Sequence, residues 1–166
     1  MKEPIKTFNE YINESWEEVD DSLDNKVAGV AIIYQNKILL VHPTNASWQK
    51  PTLGIPKGRV EDGEDVLTAS IRELKEETGI SLDASMLSTE PYVTDIYDRN
   101  GNVKKQLIYF TCNVDNLDIL NMDKLTINKN RLQAEEVDWA GFLGANEAYP
   151  KMTAFQRIIL DRHLTL

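Results

Sequence analysis

The run GRVEDGEDVLTASIRELKEETGI, from Gly58 to Ile80, constrains this chain more than any other part of it. Leu67, Ile71, Leu74 and Thr78 recur at the four- and three-residue steps of one buried helical stripe, which predicts a helix over 64–78. Glu64 and Asp65 fall in its expected first turn, where carboxylates meet the positive end of the helix dipole. Gly79 stands where a C-terminal cap belongs. Glu73, Glu76 and Glu77 sit at i, i+3 and i+4 and share a second face. Like charges so placed cost about a few tenths of a kcal/mol per pair. Two readings compete: a solvated acidic face, the common fate of such a run, or a set of hard oxygen donors for a divalent cation.

The loop before this helix adds chemistry. Gly54-Ile55-Pro56-Lys57-Gly58-Arg59 brings small residues that let backbone approach a ligand, and two cations suited to phosphate oxygens. Taken alone, Pro-Lys-Gly is a plain turn. Arg72, next to the acidic triplet, is placed to orient a carboxylate or offset the repulsion.

The rest of the chain supplies strands. Lys26–Tyr34 and Lys37–His42 are β-rich runs joined by a tight turn at Gln35-Asn36. Residues 43–63 read as loop, with Pro43, Pro51, Pro56 and three glycines. Pro91–Asp98 and Val103–Val114 flank Asn100-Gly101, a strong hairpin signal. Glu136–Phe142 reads as a shorter strand and Thr153–Leu164 as a closing helix, with Phe155, Ile158, Ile159 and His163 on its stripe. Hairpins mixed with long crossings predict an α+β fold with a mixed sheet.

Two segments are predicted: an acidic amphipathic helical extension over 1–25 and a main domain over 26–166. Phe8, Tyr11, Ile12, Trp16 and Val19 give the extension its stripe, which suits packing on the domain or, alternatively, docking or homodimerisation. The extension has no apolar core of the kind a secretory signal carries. No apolar run approaches the roughly 20 residues of a membrane helix. A net charge of −9 argues against general nucleic-acid binding, though not against a small phosphorylated ligand. Cys112 is the single cysteine and suits a reducing, cytoplasmic setting.

Loop and helix together resemble the Nudix hydrolase family. Its box runs Gly, five residues, Glu, seven residues, Arg-Glu, an aliphatic residue, any residue, Glu-Glu, any residue, Gly, an aliphatic residue. Gly58, Glu64, Arg72, Glu73, Leu74, Glu76, Glu77, Gly79 and Ile80 fill every constrained position at the family spacing. The resemblance implies an α/β/α sandwich and a pyrophosphohydrolase that uses Mg²⁺ or Mn²⁺ on a small-molecule nucleotide. It implies Glu73, Glu76 and Glu77 as metal ligands and base, the Gly58 carbonyl as a further ligand, Arg72 as an orienting residue and Glu64 as a support. A downstream acid, Glu135 or Glu136, completes the metal set, with Glu136 the choice. Lys57 and Arg59 would meet phosphates. Ile55-Pro56-Lys57-Gly58 is similar to the version found in dinucleoside polyphosphate hydrolases. ADP-ribose or other dinucleotide hydrolysis, RNA 5′-end processing and a silent nucleotide-sensing module are the alternatives. Among the aromatics, Tyr92, Tyr97, Tyr109 and Trp139 suit packing, and Trp48, in a polar loop, is the best candidate to stack on a base. His42 and His163 read as structural.

Overall fold

Residues 25–166 are described in the computed structural model, so the expected helix over 1–25 lies outside the described residues. Strand β1 (Lys26–Tyr34) and strand β2 (Lys37–Pro43) are nearly continuous apolar runs because both faces of each are covered. Gln35 and Asn36 adopt φ of 47° and 57°, the two left-handed positions that a twisted hairpin turn requires. Strand β3 (Lys57–Arg59) lies within the stretch expected to be loop. It pairs antiparallel with β1 through Val27–Arg59, Ala28–Gly58 and Gly29–Lys57. Gly58 and the preceding Pro56 hid it from composition, and its partner strand lies about thirty residues away.

Helix α1 (Val66–Thr78) follows, then β4 (Tyr92–Tyr97), β5 (Val103–Asn113), β6 (Val137–Gly144), the short helix α2 (Ala145–Ala148) and α3 (Arg157–His163). The sheet order is β4-β5-β1-β2-β6 with β3 on β1. Only the β1–β5 pair is parallel among the described strands, which makes the sheet mixed as expected. Helix α1 covers one face through Leu74, which packs with Val30, Ile32, Leu39, Phe110 and Cys112. The C-terminal segment covers the other through Met152, Ile159 and Leu160, against Ala31, Ile38, Leu40, Leu107 and Tyr109. The outer edge of β6 is capped by residues 125–127, where the Ile127 amide donates to Ala140 and the Phe142 amide to Leu125. No helix among the described residues is long and apolar enough to cross a membrane.

Two helix expectations need correction. α1 begins at Val66, so Glu64 and Asp65 are not in its first turn. Asp65 is the N-cap; its Oδ1 accepts the Thr68 amide at 2.7 Å, which fixes the start. Gly79 caps the other end at φ 74°, as expected. The closing helix is shorter than 153–164. Thr153 is extended because its amide donates to the Leu53 carbonyl, and the chain passes through a 3₁₀ turn at Ala154–Gln156 before α3. Its buried stripe is Gln156, Ile159, Leu160 and Leu164, while Ile158 is exposed.

Candidate active site

A helix turns by about 100° per residue, so Glu73 and Glu77 nearly eclipse each other while Glu76 is rotated away. The structure follows this geometry. Glu73 and Glu77 are buried, whereas Glu76 is exposed. Glu136, just before β6, brings a third carboxylate: one oxygen from each of Glu73, Glu77 and Glu136 lies within 4.8 Å of the others. Glu76 is outside this group, its Oε2 3.2 Å from Arg72 Nη1, and Glu135 is exposed and does not join it. Glu136 is placed by the β2–β6 junction, where its carbonyl accepts the Thr44 amide at 2.9 Å.

Gly58 faces Glu73. A Cβ there would overlap the carboxylate carbon and both its oxygens. Ala28, its partner on β1, is fully buried, so the strand cannot retreat. The glycine therefore brings backbone against the acidic cluster at a place where no side chain fits.

Arg72 ties the cluster to the preceding loop. Its Nε and Nη2 donate to the two oxygens of Glu64 at 2.8 and 2.9 Å, the bidentate fork that guanidinium geometry allows. Nη1 donates to Glu73 at 2.9 Å and Nη2 also reaches the Arg59 carbonyl at 3.0 Å. The hydrogen bonds from Arg72 hold the Glu64 carboxyl below its ordinary range. Glu73 is raised instead, because burial outweighs Arg72.

Burial pushes Glu77 up to about 8, against the opposing pull of Lys57. Lys57 is itself lowered by burial, opposed by the same Glu77. Each opposes the shift that burial imposes on the other. Arg59, opposite Val27 at the end of β3, is exposed. Behind the loop, Gln156 accepts the Ile55 amide at 2.8 Å, and its side chain fills the space a Cβ on Gly54 would need. Nothing in the local sequence marks Gln156, which lies 101 residues from Ile55.

Trp48 is exposed and packs flat on His42, with ring centroids 3.7 Å apart and planes at 4°. Trp139 meets it edge-on at 5.9 Å. His42 is fully buried, and its Nδ1 lies 2.6 Å from Asp138 Oδ1. Trp48 is thus not with the acidic cluster but on the loop that leaves β2. Tyr92 and Tyr109 stack on each other and meet His163 at an edge, an interior arrangement, whereas Tyr97 is exposed on the hairpin. Cys112 is buried in β5.

The chain is similar to known proteins of three kinds: a family, solved structures and a curated protein. The NUDIX domain family profile matches residues 24–162. The fold is similar to that of a MutT NUDIX hydrolase from Burkholderia pseudomallei, at 22% identity and TM-score 0.62, over 84% of this chain and 97% of that one. It is also similar to an Ap4A hydrolase of C. elegans, solved as a binary complex, at 22% identity and TM-score 0.58, over 83% and 93% of the two chains. Among curated proteins, a methanol dehydrogenase activator of Bacillus methanolicus is 43% identical over 53 residues. That match spans 32% of this chain and 29% of the activator.

Proposed function

This chain belongs to the NUDIX family, and from that premise we propose that it hydrolyses a pyrophosphate bond in a nucleotide, with a dinucleoside polyphosphate as substrate. The carrying observation is the gathering of Glu73, Glu77 and Glu136 within 4.8 Å, beside backbone that only Gly58 allows to approach. Three carboxylates so close repel one another unless a proton or a cation intervenes; burial is the main cause of the raised Glu77 carboxyl, and Glu73 and Glu136 add to it. An all-oxygen donor set without thiolate or imidazole fits Mg²⁺ or Mn²⁺. Glu73, Glu77 and Glu136 would hold the ion, with the Gly58 carbonyl and Glu76 as further donors. When bound, the metal supplies Lewis acidity towards phosphoryl oxygens and water.

The chain's own residues do the rest. Arg72 keeps Glu73 and Glu76 oriented through one nitrogen, and one of these two carboxylates takes the proton of the attacking water. The water oxygen bonds to one phosphorus, the bond from that phosphorus to the bridging oxygen breaks, and this oxygen leaves on the other phosphate carrying the charge. Lys57 and Arg59 meet phosphate oxygens as that charge develops. Ile55-Pro56-Lys57-Gly58 favours the dinucleoside polyphosphate. We assign the chemistry to residues 26–166 and place the protein in the cytoplasm, where a single buried cysteine stays reduced.

The test is incubation with Mg²⁺ or Mn²⁺ and a panel of diadenosine polyphosphates, ADP-ribose, NADH, FAD, nucleoside triphosphates and triphosphorylated RNA. The expected result is metal-dependent cleavage, fastest on a diadenosine polyphosphate. Preference for another member of the panel moves the substrate and keeps the chemistry. No cleavage of any member overturns the hydrolase reading.

A further inference from the structure

An exposed tryptophan in a polar loop is free to take many orientations, yet Trp48 lies parallel to one imidazole within 4° and against the edge of a second indole. Its residue surface is still 57% exposed. One face therefore lies on the imidazole, while much of the side chain meets solvent. The support beneath it is built with polar parts. A carboxylate can only accept, so His42 Nδ1 donates to Asp138 at 2.6 Å, which fixes the plane of the ring. His42 Nε2 is buried with no partner. A leucine or phenylalanine at position 42 would back an indole without leaving a buried polar atom unsatisfied. What imidazole adds is an orientation locked from below by a neighbouring strand.

Its place in the fold suits a ligand. His42 and Trp139 are register partners on β2 and β6, and Trp139 packs on the side of the sheet opposite α1. Lys57 points to the same side, since a Cβ on its partner Gly29 would touch both Lys57 Cβ and Ile55. Trp139 is three residues from Glu136, about 10 Å along a strand. The aromatic plane and Lys57, the cation expected to meet phosphate, thus stand on the same face of the sheet.

We infer that Trp48 is the platform on which a nucleobase of the substrate stacks, and that His42 and Asp138 are positioning residues that hold the indole flat for it. The identity of the ligand as a nucleotide rests on the hydrolase reading above. The site itself rests on the ring geometry. Stacking on one indole face accepts purine and pyrimidine alike, so the platform contributes affinity more than base choice.

Steady-state kinetics on the best substrate of the panel test this, with Trp48→Ala, Trp48→Phe, His42→Ala, Asp138→Asn and the His42→Ala/Trp48→Ala pair. Trp48→Ala is expected to raise KM about ten- to a hundredfold, with kcat within about twofold. Trp48→Phe restores most of the loss. His42→Ala raises KM in the same direction, and the pair is no worse than Trp48→Ala, because His42 acts through the indole. Ribose 5-diphosphate, which has no base, should bind wild type and Trp48→Ala alike. An unchanged KM for Trp48→Ala, with only a lower melting temperature, overturns the inference and leaves the hydrolase reading intact. Should wild type cleave nothing, calorimetry with AMP still decides: tighter binding to wild type than to Trp48→Ala supports the platform, and equal binding overturns it.

Discussion

Gly58 and Glu73 face each other so closely that the hydrogen of the glycine occupies the only room left beside the carboxylate. β3 is held in register with β1 and α1 is anchored by its core stripe, so neither partner can move off. Gly58→Ala therefore displaces Glu73 from Glu77 and Glu136. The expected outcome is a kcat lower by at least roughly a hundredfold, with about 1–3 kcal/mol of lost stability from overpacking. Kinetics and urea denaturation of the variant check both.

Arg72 serves four acceptors at once: Glu64, Glu73, Glu76 and the Arg59 carbonyl. A lysine keeps the charge but has no planar fork, so it cannot bridge Glu64 while steadying Glu73. Arg72→Lys is expected to lower kcat by about ten- to a hundredfold, the scale seen when support of a ligand is lost. A rate within twofold of wild type would show that charge alone suffices.

Gln156 is the one side chain bonded to the Ile55 amide, and both are buried. Gln156→Leu removes the acceptor and leaves a buried N–H unsatisfied, which costs about 1–3 kcal/mol. Urea midpoints measure the cost. The variant should also weaken catalysis, since the same loop carries Lys57 and Gly58.

His163 is buried beside Arg162, and burial first, then that cation, lower its pKa to about 4. Tyr109 Oη and His163 Nε2 share a hydrogen bond at 2.9 Å. Between about 6.5 and about 4 the unfolded chain binds a proton that the folded chain refuses. This contribution to stability is therefore complete above 6.5 and is lost as the pH falls through 4. His163→Gln keeps a hydrogen-bonding group for Tyr109 without the titration. Its melting temperature should fall less steeply than that of wild type from pH 6.5 to 4.

Glu77 titrates near 8 without metal, and a cation binds only its ionised form. Protons compete with the metal below that value. The rise in melting temperature on adding excess Mg²⁺ should be larger at pH 8 than at pH 6. An equal rise at both values would separate Glu77 from the metal site.

Local signals were legible where the causes are local. The four- and three-residue spacing of Leu67, Ile71, Leu74 and Thr78 marked α1, and Gly79 marked its end; the same spacing grouped Glu73, Glu76 and Glu77, of which only Glu73 and Glu77 meet Glu136. Gln35-Asn36 marked its turn. The helix start was off by two residues because an acid before a helix can cap it or sit inside it, and only the bond from Thr68 decides. β3 was invisible because its strand character comes from β1, not from Pro56, Lys57 or Gly58. The contact of His42 with Asp138 spans 96 residues and depends on the β2–β6 register, which no short pattern encodes. Glu136 was singled out beforehand by resemblance, whereas its approach to Glu73 and Glu77 is set by that same register.

The most direct test of the central claim is calorimetric titration of Mn²⁺ into wild type and Glu77→Gln at pH 8, with turnover of the best substrate measured on the same samples. The account predicts binding to wild type, at least tenfold weaker binding to the variant, and a kcat lower by at least roughly a hundredfold. Superimposable isotherms and equal rates would contradict it.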